Sequence, residues 1–154
     1  MKLPDSPSLA VTAVTLVMAL SQGCGDDTPA PAVNGCAAAD FVDRSAASAA
    51  RTVGFGGAEG SGPLAYSPRC ITVAAGQAVT FTGSGASAFG GHPLSPGTAS
   101  AGSTPPNPRG GSPGNPIPRT TDGMSITVTF PAAGTYPYYC ELHEPGMAGV
   151  VVVR

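Results

Sequence analysis

TYPYYCELHEPGMAGVVVV, residues 135–153, is the stretch that decides how this chain is read. Two runs rich in β-branched and aromatic residues, Thr135–Tyr139 and Gly149–Val153, have the composition and length of β-strands. Between them lie Cys140, His143 and Met147, a thiol, an imidazole and a thioether in one hairpin loop. Each is an ordinary residue taken alone, and together they are a set of donors for a soft metal.

Working outward, the same strand signature recurs at 51–55 (RTVGF), 70–73 (CITV), 78–83 (AVTFTG) and 125–130 (SITVTF). AAGQ (74–77) supplies a turn, and PAAG (131–134) a tight connection. No stretch of helical period stands out beyond the N-terminus, so the pattern predicts an all-β fold, a β-sandwich of short strands. Residues 96–123 break it: thirteen of these 28 residues are Gly or Pro. Such a stretch cannot pair as a central strand and is expected to be a long Gly/Pro-rich surface loop. A lid or docking role and no role at all both stay open for it.

At 154 residues the chain has room for one domain with a real core. The net charge is −2 and the only lysine is Lys2, which excludes electrostatic binding to nucleic acid. Lys2 followed by the apolar run Leu9–Leu20 reads as an export signal, the run being too short to span a bilayer comfortably. LSQGC (20–24) resembles a bacterial lipoprotein cleavage box, with Ser21 where the box usually has Leu. The expected layout is a signal peptide over 1–23, a flexible tether over 24–37 and the folded domain over 38–154. Cys24 is then the lipidation site, and simple secretion with Cys24 as a spare thiol is the other reading. Either way the protein is exported to the periplasm or cell envelope. In that oxidising compartment two of Cys36, Cys70 and Cys140 can pair. A Cys36–Cys70 bridge leaves Cys140 free, as a thiolate ligand must be.

The chain has two histidines, His92 and His143. His92 lies in SAFGGHPLSPG (87–97), after the 78–83 strand. Two imidazoles, a soft thiolate and a weak thioether suit copper that alternates between Cu(I) and Cu(II), because such a site is tolerable to both states.

At this point GTYPYYCELHEPGMAGVVVV resembles the C-terminal ligand loop of the plastocyanin-like cupredoxins, the small blue copper proteins. ITVAAGQAVTF (71–81) is similar to the strands before their first histidine. The resemblance covers about 50–95 and 124–154. It implies a Greek-key β-sandwich, a single type 1 copper and one-electron transfer. It further implies His92, Cys140 and His143 as strong equatorial ligands and Met147 as a weak axial one. Tyr136, Tyr138 and Cys140 alternate onto one face, so the two tyrosines are expected to back the site from the core. Tyr139 is expected to point outward as an electron route. Two departures stand out. Three residues separate His143 from Met147 where plastocyanins usually have four, and Pro93, which has no N–H, follows His92 where the family commonly has Asn. Leu142 offers an N–H where plastocyanins often have proline, so the hydrogen bond to the sulfur is expected to move there.

An enzyme is disfavoured, since multicopper oxidases and copper nitrite reductases need further histidines and both of these are already assigned. A copper carrier or storage protein is the alternative, weakened by a mature chain with only Met124 and Met147. The expected partner is a redox protein such as a cytochrome or terminal oxidase, met by a monomer. Glu141 and Glu144, flanking His143, are either an acidic mouth or plain solvated charges.

Overall fold

The computed structural model describes residues 32–85, 88–99 and 114–154. The signal segment, the cleavage box with Cys24, and residues 100–113 of the Gly/Pro-rich stretch lie outside the described residues.

Two sheets face each other. One has the order β1–β4–β9–β8–β6, built from β1 (Val42–Asp43), β4 (Cys70–Val73), β9 (Ala148–Val153), β8 (Gly134–Cys140) and β6 (Leu94–Pro96). The other has the order β3–β2–β5–β7, from β3 (Tyr66–Ser67), β2 (Thr52–Phe55), β5 (Ala78–Gly83) and β7 (Ser125–Thr129). The chain is a two-sheet β-sandwich. Successive strands mostly change sheets: β4 leads to β5 and β7 to β8 across the sandwich, and β8–β9 is a true antiparallel hairpin. The turns at 74–77 and 131–134 therefore step between layers. β1, β3 and β6 have two or three residues each, too few to leave a periodic signal.

Period-two burial explains the core. Val79 and Phe81 of β5 point inward while Ala78, Thr80 and Thr82 are only partly covered. The interior holds Phe55, Phe81, Phe89, Phe130, Tyr66 and Tyr138, with Ile71, Val73, Val151 and Val153. Each such fully buried side chain stabilises the fold by roughly 1.5–3 kcal/mol. Tyr138 meets Tyr66 and Phe81 edge to face, with ring centroids at 4.9 and 5.0 Å. Its hydroxyl donates to the Arg69 carbonyl at 3.0 Å. Gly149 makes room for it, because a Cβ there would lie 2.5 Å from the Tyr138 oxygen.

The valine run is buried on both faces. Val151 and Val153 enter the core, whereas Val150 packs outward on Cys36 and Cys70, with Val33, Phe41 and Val152 around them. What covers that outer face is the N-terminal segment, held by a Cys36–Cys70 disulfide with its Cα atoms 5.8 Å apart. Asn34 secures it further: its Nδ2 donates to the carbonyls of Gly97, Tyr138 and Gly149, and its Oδ1 accepts from the Ala99 N–H. Residues 33–37, expected as the end of the tether, are thus fixed to the sheet.

The Gly/Pro-rich stretch also differs from a free excursion where it is described. Ile117 is buried in the core, Thr120 and Leu94 exchange backbone hydrogen bonds at 2.9 Å, and Asn115 donates to the Pro137 carbonyl at 2.9 Å. Prolines do not prevent this, because the attachment uses side chains and isolated bridges rather than a continuous ladder.

Candidate metal centre

Four segments at one end of the sandwich form the site. Cys140 ends β8, paired with Leu94 of β6. His92 follows the single helical turn α1 (Ala88–Gly91), its N–H donating to the Ala88 carbonyl at 3.0 Å. Phe55 packs against the His92 ring at 5.9 Å between centroids. Next to it Gly56 has φ +61°, a left-handed conformation that glycine adopts freely, and a Cβ there would touch the same ring. His143 lies in the 141–147 loop, which closes on itself: Met147 N–H donates to His143 O and Cys140 N–H to Met147 O, both at 2.9 Å.

The result is a compact donor set. One ligand atom from each of His92, Cys140 and His143 lies within 4.8 Å of the others, close enough to share one ion. Cys140 Sγ is 3.2 Å from His143 Nδ1, and the two imidazole centroids are 4.8 Å apart. Cys140 and Met147 are fully buried and belong to one core cluster, while His92 and His143 are partly exposed. A disulfide elsewhere leaves Cys140 a free thiol.

The electrostatics fit a cation. His92 Nδ1 is buried without a hydrogen-bond partner, an orphaned lone pair or N–H that a metal satisfies. Burial, then the neighbouring His143, lowers the pKa of His92, which keeps the ring neutral as a ligand must be. Burial raises the Cys140 thiol, opposed by hydrogen bonds from the backbone of Leu142 and His143. The sulfur is thus protonated until a cation offsets the burial, and metal binding releases that proton. The donor set of thiolate and two imidazoles fits copper. Pro93, which has no N–H to offer the sulfur, contributes instead through its carbonyl, which accepts the Glu141 N–H at 3.0 Å.

Two expectations are corrected. Tyr139 does not point into solvent: it is 1% exposed, on the outer face of β8 opposite Ser95 of β6. Nor is Glu141 part of an acidic mouth or a solvated loop charge. Its carboxylate is buried, bonded by Ser95 Oγ and by Arg119, whose Nε and Nη2 donate at 2.6 and 2.8 Å. Arg119, its hydrogen bonds and then its charge outweighing burial, holds that carboxyl below the usual range. Tyr136 and Tyr138 do line the core with Cys140. Ser95, Arg119 and Tyr66 escaped sequence reasoning. A serine two places after a proline and an arginine in a proline-rich stretch carry no motif.

No curated protein matches the chain significantly. Among solved structures, amicyanin from Paracoccus versutus is similar at 20% identity over 71% of this chain and 85% of that one, with a TM-score of 0.42. A purple cupredoxin from Nitrosopumilus maritimus is similar at 21% identity, covering 68% and 99%, with a TM-score of 0.41. A copper-containing nitrite reductase from Thermus scotoductus SA-01 is similar at 18% identity, with a TM-score of 0.42. It matches 75% of this chain but only 28% of its own length. The family described as copper binding proteins, plastocyanin/azurin family, matches residues 52–154, about two-thirds of the sequence. The chain belongs to the plastocyanin/azurin family of copper-binding proteins.

Proposed function

We propose that the protein is a one-electron carrier of the cell envelope, in which His92, Cys140, His143 and Met147 would hold one type 1 copper. The observation that carries this reading is the convergence of two imidazoles and one buried free thiol within 4.8 Å, in a chain with no third histidine. When bound, copper supplies the Cu(I)/Cu(II) couple.

The chain's own residues do the rest. β6 and β8 are hydrogen-bonded beside the ligands, so His92 and Cys140 keep their spacing as charge changes. Complete burial of Cys140 excludes water from the sulfur. His143, partly exposed on its short loop, is the electron's exit. Tyr139, covered on its outer face, is not a surface contact in this reading. The partner is another redox protein, such as a cytochrome or terminal oxidase, met by a monomer that Cys24 anchors to a membrane if it carries a lipid. With Glu141 paired to Arg119, partner choice does not rest on an acidic mouth.

The test is the visible spectrum of the purified mature protein after Cu(II) addition, with and without reductant. An intense blue band, bleached by ascorbate and restored by oxidant, is the expected result. Colourless protein that retains Cu(I) alone would replace this reading with a copper carrier. Failure to hold either ion would refute the metal site.

A further inference from the structure

The residue after the cysteine is the most constrained acidic group at this end of the molecule. Glu141 has a side chain only 6% exposed, and three donors fix its carboxylate. Ser95 Oγ donates to Oε1 from β6; Arg119 Nε donates to Oε1 and Nη2 to Oε2 from the segment 114–120. The guanidinium grips both oxygens, the planar two-point geometry that arginine alone provides. Glu141 also acts through its backbone, its N–H donating to the carbonyl of Pro93, the residue after His92.

These contacts span three stretches of chain. Cys140 stands one residue before Glu141, His92 three residues before Ser95, and Arg119 one residue before Thr120, which is bonded in both directions to Leu94. Moving the thiol relative to the first imidazole therefore stretches the Ser95–Glu141 and Glu141–Pro93 bonds. Exposed ion pairs contribute little, and the Arg119 side chain is itself 53% exposed. Its partner is buried, however, and loss of Arg119 leaves a buried carboxylate poorly compensated, which drives that carboxylate out toward water.

We infer that Glu141 is a positioning residue of the metal centre, latched by Arg119 and Ser95 so that the Cys140 sulfur keeps a fixed place relative to His92. The inference rests on the copper ligands named above. The segment 114–120 thereby has a role that its proline-rich sequence hides: it closes the latch from outside the sandwich.

The experiment compares wild type with Arg119→Ala, Arg119→Lys and Glu141→Gln. Each receives Cu(II) as its sulfate, and three readouts are followed. These are the ratio of the visible thiolate bands, copper retention against a competing chelator, and thermal unfolding of the copper-free protein. Loss of a group that orients a metal ligand typically weakens binding by about 10–100-fold. Arg119→Ala is expected to shift the band ratio and weaken retention about 10-fold or more. Arg119→Lys, which keeps the charge but not the two-point grip, is expected between Arg119→Ala and wild type. If Arg119→Ala does not fold, Glu141→Gln carries the test, since it keeps the shape and the Ser95 contact while losing the ionic grip. Variants whose unfolding temperature falls while band ratio and retention match wild type would overturn the latch and leave a merely structural ion pair. A wild-type protein with no thiolate band would overturn the ligand assignment and this inference together.

Discussion

Leu142→Pro tests whether the Leu142 N–H supports the sulfur. The Leu142 and His143 backbone opposes the burial-driven rise of the Cys140 thiol, and Leu142 is 62% exposed and packs little. Proline therefore removes a donor at small cost in burial. A hydrogen bond to a charged group contributes about 1.5–3 kcal/mol, and only its difference between oxidation states moves the potential. The reduced site carries more negative charge on its donors, so the bond is stronger there and its loss disfavours reduction. Taking that difference as about half of the upper value gives ~1.4 kcal/mol, which for one electron is ~60 mV. The expected result is a fall of about that size in a redox titration followed at the blue band. Leu142→Ala, which keeps the N–H, serves as the control and leaves the potential unchanged. A Leu142→Pro protein with an intact thiolate band and an unchanged or raised potential would refute the reasoning, because Pro93 leaves the first-histidine loop no N–H at that place to compensate.

Two further predictions concern the scaffold. Replacing both Cys36 and Cys70 with alanine opens a loop of 34 residues, which on the chain-entropy relation costs about 4 kcal/mol and lowers Tm by roughly 15 °C. Calorimetry of the copper-free protein checks this, and the visible spectrum of the loaded protein should not change, because the bridge lies on the outer face away from Cys140. The two tyrosines in edge-to-face contact, Tyr66 and Tyr138, are expected to respond with opposite signs. Tyr66 buries a hydroxyl with no partner, so Tyr66→Phe stabilises by about 1 kcal/mol, whereas Tyr138→Phe loses the bond to Arg69 and destabilises by about 1 kcal/mol. Urea unfolding of the two variants decides it, and equal shifts of one sign would show that packing rather than hydroxyl pairing sets their contribution.

Much of the fold was legible because period-two burial writes itself into composition. The long strands β5, β7, β8 and β9 carry alternating or β-branched runs, and all were read at nearly their observed bounds. β1, β3 and β6 were not, being two or three residues held by neighbours rather than by their own pattern. The ligand loop was legible for a different reason: Cys140, His143 and Met147 are close in sequence, so their proximity is a local property. Tyr139 misled because alternation tells which face a side chain takes but not whether that face is covered. Here the outer face of β8 near the site is covered, with Ser95, Arg119 and the segment 114–120 around Glu141.

By itself, then, the sequence determined the longer strands, the local donors and, through the scarcity of histidine, His92 as the candidate to complete the set. Only the tertiary structure decided what encloses those donors. Asn34 reaches carbonyls 63 to 115 residues away, Ser95 meets Glu141 across 46 residues and Arg119 meets it across 22. Contacts of that separation depend on where whole strands are placed, and no local propensity or spacing encodes them.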